Sequence, residues 1–393
     1  MSGDRPADRL TDLEIASGLV LGADGPAVDP DGGRGVGPVE ALERALLPAL
    51  TRAPCVIGFS GGRDSSALLA VATRLAERQG LEPPVALSLR YPSAPSAQES
   101  SWQELVISDL GISDWLQVDV TDVDLVSQRM TAFLERYGVV WPPNAVLTAI
   151  AIARAPGGSS FVSGLGGDQL FGQWRWRSLA DGLSRRRRIA PYDALRLGYV
   201  ALPGRVRARR EGRRLHHGLI GQWLRPGAAS ELRLLAAREL AEEPVWWRDR
   251  VRWRSRGRDL RLWLSTLRRI SATRSIEAFA PLVEPGFVAA LGEAGGPLGY
   301  GDRTATMEAI FAGVLPDEVL RRETKAIGHE LFWQGGPQAF ATDWDGSGVD
   351  HDLVDPEALR TEWRKPRPSD SSALLFQSAW LHSRRHAAGA TAG

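Results

Sequence analysis

The segment Ser60-Gly61-Gly62-Arg63-Asp64-Ser65-Ser66 limits what this 393-residue chain can fold into more than any other stretch. Before it, residues 55–59 (Cys-Val-Ile-Gly-Phe) read as a buried strand. After it, residues 65–79 carry apolar side chains three and four apart and read as a helix. The two glycines between them let backbone N–H groups approach an anion closely. The start of the following helix adds unpaired N–H donors and a partial positive charge. Ser60, Ser65 and Ser66 supply hydroxyls. No lysine stands where a GxxxxGK phosphate loop needs one, and the glycine spacing does not fit a GxGxxG dinucleotide turn. The plainer reading is a Ser/Gly turn that only caps its helix.

The same alternation continues along the chain. Strands are expected at 85–89, 115–120 and 160–163, and helices at 99–110, 123–137 and 145–154. Strands alternating with helices predict an α/β fold, a doubly wound parallel sheet with helices on both faces. Residues 1–40, rich in Gly, Asp and Pro, read as a flexible lead-in. Residues 41–335 read as the main domain, and 336–393 as a loop-like extension whose end, 387–393, is expected to be disordered. Within the main domain, residues 174–264 form an Arg- and Trp-rich insertion expected to be helical, followed by a C-terminal helical region. There are no internal repeats.

Charge is unevenly placed. The formal net charge is +1, yet residues 174–264 hold 23 Arg against 9 Asp or Glu. Lysine occurs only at Lys325 and Lys365, so each lysine position carries information. The single cysteine, Cys55, excludes an intramolecular disulfide. No secretion signal and no apolar run of membrane-spanning length is present, so a soluble, cytoplasmic protein is expected.

The first loop resembles the SGGxDS loop of the ATP pyrophosphatase superfamily, and seven consecutive residues in a strand–helix context weigh against the simple cap. A second segment, Ser163-Gly164-Leu165-Gly166-Gly167-Asp168-Gln169-Leu170-Phe171-Gly172, follows a predicted strand. It is similar to the SGxGxDExFGG stretch of asparagine synthetases, β-lactam synthetases and lasso-peptide macrolactam synthetases. Residues 275–284 resemble the family's EARxPFLD stretch, and residues 315–325 its LPxxVLxRxK stretch. The resemblance spans about residues 40–335. It implies an ATP-pyrophosphatase-type fold and an ATP- and Mg²⁺-dependent ligase that forms amide bonds through an acyl-adenylate. It places ATP against Ser60, Gly61, Gly62, Asp64, Ser65, Ser66, Leu89, Ser163, Gly164 and Asp168, with Mg²⁺ on Asp64 and Asp168. Lys325 falls on the family's catalytic lysine, where a cation stabilises negative charge on the reacting phosphate.

Two departures matter. Residue 2 is serine rather than the cysteine nucleophile of a glutaminase domain, and fewer than 60 residues precede the first loop. Ammonia release from glutamine by that mechanism is therefore not expected of this chain. Leu165 stands where asparagine synthetases have Glu and β-lactam synthetases Tyr. Leucine accepts no proton, so Glu277 or His329 is expected to act as base, or the amine to arrive neutral. The Arg/Trp-rich segment predicts a docking surface for an acidic leader peptide or partner protein. The resemblance favours macrolactam formation on a peptide, as in lasso-peptide cyclisation. The alternatives are a small-molecule amide or β-lactam-type synthetase, a tRNA-modifying pyrophosphatase, which the missing CxxC disfavours, and a non-catalytic subunit.

Overall fold

The computed structural model describes residues 8–391 apart from 28, 30–34, 173, 185, 187, 189–190, 215–220 and 325–327; side chains at 191, 194, 214 and 388–391 are also left aside. Five strands, β1 (Cys55–Gly58), β2 (Val85–Arg90), β3 (Trp115–Asp119), β4 (Ser160–Val162) and β5 (Glu277–Phe279), form one sheet in the order β3-β2-β1-β4-β5. Every neighbouring pair is parallel. The central strands β1 and β4 are buried because both faces of the sheet are covered there, whereas the edge strands β3 and β5 are partly exposed. Val56, Leu87 and Phe161 face one buried cluster, while Ile57, Ala86 and Val162 face the other. This is the expected doubly wound α/β sheet.

Helices α1 (Asp12–Ser17), α2 (Pro38–Leu50), α3 (Arg63–Gln79), α4 (Ser100–Asp109), α5 (Gln128–Tyr137), α6 (Ala145–Arg154) and the single turn α7 (Gly167–Leu170) surround the sheet. The Arg/Trp-rich region holds α8 (Arg177–Leu183), α9 (Pro191–Val200), α10 (Gly204–Arg214), α11 (Pro226–Glu242), α12 (Trp247–Ser255) and the first part of α13 (Arg258–Ala272). Beyond β5 come α14 (Pro285–Gly295), α15 (Arg303–Phe311), α16 (Asp317–Leu320), α17 (His329–Phe332), α18 (Gly336–Asp343), α19 (Pro356–Trp363) and α20 (Ala373–Thr391).

Both ends differ from the sequence expectation. Between residues 9 and 25 the lead-in is tied down. Thr11 and Glu14 form a reciprocal capping box on α1. Glu14 accepts from the buried Arg258 guanidinium at 2.6 and 2.9 Å, and the Trp223 indole donates to the Ala16 carbonyl at 2.8 Å. Gly18 has φ +65°, and a Cβ there would lie 2.0 Å from the Ser371 carbonyl oxygen, so only glycine fits. At the other end, residues 336–391 are largely helical. Trp333, Phe340 and Trp363 pack their rings around Phe376 with centroids 4.9–5.4 Å away. Loop-like composition hid this because the order comes from contacts across the fold. Helix α20 runs through Thr391, so the expected disorder from 387 is not seen in the described residues.

Most tryptophans of the insertion are core rather than surface. Trp174, Trp176, Trp223 and Trp247 are buried, and Trp174 meets Trp247 edge-on at 5.9 Å. Several of its arginines are structural too. Arg250 is buried and donates to the Leu170 and Gln169 carbonyls, and burial lowers its pKa to about 10. Other arginines of the insertion do reach solvent, among them a run on α10, with Arg205, Val206, Arg209, Arg210 and Arg213 exposed. Among the described residues no helix is long and apolar enough to cross a membrane.

Candidate active site

The strand order reverses between β1 and β4: the chain winds outward from β1 to β3 and then returns to the other side. Loops leaving the carboxyl ends of two such strands diverge and leave a crevice, the usual place for a ligand in an open α/β sheet. Here those loops are Ser60–Gly62 and Ser163–Gly166, and a cavity of about 600 Å³ opens between them.

The first loop is held in shape by its own hydroxyls. The Ser60 N–H donates to Ser65 Oγ at 3.2 Å, and the Gly62 N–H to Ser60 Oγ at 3.2 Å. Ser65 and Ser66 hydroxyls both donate to the Gly62 carbonyl. Gly61 has φ +85°, and a Cβ would come 2.9 Å from Gln103 Cγ. Two outside groups pin the loop: Gln103 Nε2 donates to the Ser60 carbonyl at 3.1 Å, and Arg322 Nη1 to the Gly61 carbonyl at 2.8 Å. Arg322 is itself buried, paired with Glu99 and stacked over Trp102 at 4.9 Å. Helix α3 then starts at Arg63, and its first residues, Arg63, Asp64 and Ser65, line the cavity.

The second loop interlocks with the first. Gly167, which opens α7, lies so close to Asp64 that a Cβ would sit 2.2 Å from Asp64 Oδ2. Gly166 has φ +100°, and its Cβ would strike Val283 at 2.4 Å. These two glycines let the loops nest, and nesting brings the carboxylates of Asp64 and Asp168 to one place. Both accept from the same side chain, Arg303 at the start of α15. Nη2 lies 2.7 and 2.8 Å from the Asp64 oxygens, and Nη1 lies 2.7 Å from Asp168 Oδ1. Asp64 is largely buried and Asp168 half exposed. Burial pushes the Asp64 carboxyl up from its ordinary value; the Arg303 cation opposes the shift and the Asp168 charge adds to it. Burial also disfavours the Arg303 cation, but the two aspartates outweigh it and raise its pKa.

Ser60, Gly62, Asp64, Ser65, Leu89, Ser163, Gly164 and Asp168 line the cavity. Ser66 points back to its own helix turn, and Gly61 contributes the turn. Lys325 lies outside the described residues. Glu277 is a correction. It pairs with Ser160 at the amino-terminal end of β4, so it lies at the opposite end of the sheet from the loops. Its carboxylate is exposed and bonded to Arg52 at 2.8 Å, so it faces no substrate in the cavity. His329 is likewise turned away, its Nδ1 on Asp370 Oδ1 at 2.7 Å and its ring stacked on Trp333. Leu165 packs with Leu260, Ala280 and Trp263 into an apolar wall of the cavity. Sequence reasoning missed Arg303, Glu99, Gln103 and Trp263, none of which stands in a recognisable motif. Arg322 was within reach, since it falls in the segment 315–325.

The family model described as asparagine synthase matches residues 40–383. No curated protein matches the chain.

Proposed function

The chain belongs to the asparagine synthase family, whose members are ATP-dependent amide-forming ligases, and on that basis we propose that it joins a peptide carboxylate to an amine through an acyl-adenylate. One observation carries the reading: the convergence of Asp64 and Asp168 beside two glycine-rich loops in a single cavity. ATP binds with its β- and γ-phosphates on the loop Ser60–Ser66 and its adenosine towards Ser163, Gly164 and Leu89. A carboxylate oxygen attacks the α-phosphorus, the bond to the bridging oxygen breaks, and pyrophosphate leaves. The amine nitrogen then attacks the acyl carbon, AMP departs, and the nitrogen loses one proton.

Among the described residues no three His, Cys, Asp or Glu side chains cluster as a metal cage. Two carboxylates that already share one cation nevertheless suit Mg²⁺, which takes one or two protein carboxylates and completes its shell with phosphate oxygens. Asp64 and Asp168 would hold it, and it would neutralise charge on the departing pyrophosphate. Lys325 is proposed to face the α-phosphate. With leucine at 165 and both Glu277 and His329 turned elsewhere, the amine is proposed to arrive neutral.

Ring closure within a peptide is the favoured outcome, because the motifs resemble those of macrolactam synthetases. The exposed basic stretch of α10 is proposed to receive an acidic leader peptide or partner protein. That contact should weaken steeply with salt and on charge reversal at Arg205 and Arg209.

The test is product identity. The full chain with MgATP and a candidate peptide should form AMP and pyrophosphate, resolved by ³¹P NMR, with a peptide one water lighter by mass spectrometry. A linear amide or a small-molecule product would move the substrate class. Formation of ADP and phosphate, or turnover unaffected by Asp64→Asn and Asp168→Asn, would refute the reading. Each substitution should lower the rate by about 10²-fold or more.

A further inference from the structure

Arg303 occupies the point where both aspartates converge. Its two terminal nitrogens are spent on three carboxylate oxygens, all at 2.7–2.8 Å. The other two arginines of the cavity are committed elsewhere. Arg63 donates to Thr304 Oγ1 and the Leu320 carbonyl, and Arg322 to Gly61 and Glu99. Only Arg303 is bound solely to groups that a divalent cation also needs. A metal using both carboxylates must take oxygens that now accept from this guanidinium, and two cations cannot share them without repulsion. A guanidinium released from carboxylates finds an equally good bidentate partner in a phosphate. The Arg303 side chain springs from the first turn of α15, behind the Asp302 cap, so it can swing without disturbing the helix. Its Nε is buried and unpartnered among the described residues, leaving a further donor unused.

We propose that Arg303 is a positioning residue that makes metal binding conditional on nucleotide. It neutralises Asp64 and Asp168 until a triphosphate enters, then transfers to the phosphates and yields the carboxylates to the metal. This rests on the proposed role of the two aspartates as metal ligands. Nucleotide and metal then raise each other's affinity by the same factor, as linkage requires.

Mn²⁺ tests this without turnover, because its free ion is counted directly by electron paramagnetic resonance. The full chain is titrated with Mn²⁺, with and without the α,β-methylene analogue of ATP, as wild type, Arg303→Met and Arg303→Lys. Circular dichroism melts confirm that each variant is folded. Without nucleotide, Arg303→Met should bind Mn²⁺ about tenfold or more tighter than wild type, within the usual range of coupling between sites. The gain produced by the analogue should shrink by a similar factor. Arg303→Lys, which keeps the charge but loses the fork, should fall between, and it carries the test if the methionine variant does not fold. Equal or weaker Mn²⁺ binding without nucleotide in the substituted chains would overturn the proposal. Mn²⁺ binding that survives Asp64→Asn in the wild-type background would overturn the ligand assignment beneath it as well.

Discussion

Replacing Gly167 with alanine tests the nesting of the two loops with a single methyl group. The backbone there is not left-handed, so alanine meets no torsional penalty; the effect is purely steric. Its Cβ would lie 2.2 Å from Asp64 Oδ2, 2.3 Å from Cγ and 2.7 Å from Cβ. A relaxed carbon–oxygen contact is about 3.3 Å or more, so the Asp64 carboxylate must retreat by roughly 1 Å. Asp64 cannot retreat freely, because it lies in the first turn of α3 and is held by both bonds to Arg303. Overpacking of this kind costs about 1–3 kcal/mol of stability. A misplacement of about 1 Å at a reacting site costs about 10²-fold in rate. Urea unfolding measures the first effect and the rate of pyrophosphate release the second, while calorimetric binding of the α,β-methylene ATP analogue with Mg²⁺ reports the nucleotide affinity. Gly286→Ala is the control. Nothing lies within 4 Å of the added Cβ, so stability and binding should hold or improve slightly. A Gly167→Ala protein with unchanged urea midpoint and unchanged nucleotide affinity would refute the nested geometry.

Other outcomes follow from the same contacts. Arg258→Met leaves the Glu14 carboxylate buried without its cation and should destabilise the fold by about 3–5 kcal/mol, read by urea unfolding. The double variant Arg258→Met with Glu14→Leu should recover most of that loss, which a free lead-in would never show. Arg322→Ala removes the cap on the Gly61 carbonyl and strands Glu99, so nucleotide affinity and stability should fall together, by about 1–3 kcal/mol in stability. Burial pushes the Tyr91 and Tyr300 phenols up to about 12 from an ordinary value of 10.0. Because the folded pKa is the higher one, the stability these phenols contribute is whole below pH 10 and is lost as pH rises towards 12. Spectrophotometric titration at high pH should show Tyr91 and Tyr300 ionising late together with Tyr199, which burial and the Glu211 carboxylate also push up, and Tyr91→Phe should remove one of these late tyrosines.

What could be read in advance was local in sequence. The strand, the glycine turn and the helix around Ser60–Ser66 are contiguous, so residues 55–79 disclosed this strand–turn–helix element, which lines the cavity, before any coordinates. The second loop was readable for the same reason, and so was the alternation that makes the sheet. Strand β5 was not, since three residues carry no period and its strand character comes only from pairing with β4. Glu277 shows the limit of a motif: its neighbours suited a catalytic stretch, but the parallel register carries it to the wrong end of the sheet. Arg303 was invisible because it reaches its partners across 135 and 239 residues of chain. The lead-in was misread for a related reason. Glycine raises the entropy cost of ordering, and the side chains that offset it, Trp223 and Arg258, lie more than 200 residues away.

Anomalous diffraction from crystals grown with Mn²⁺ and the α,β-methylene analogue of ATP puts the proposed chemistry to its most direct test. The account predicts a manganese peak bonded to carboxylate oxygens of both Asp64 and Asp168 and to phosphate oxygens, with the phosphates on the Ser60–Ser66 backbone and Arg303 moved onto them. Manganese on the phosphates alone, with Arg303 still clamped between the two aspartates, would contradict it.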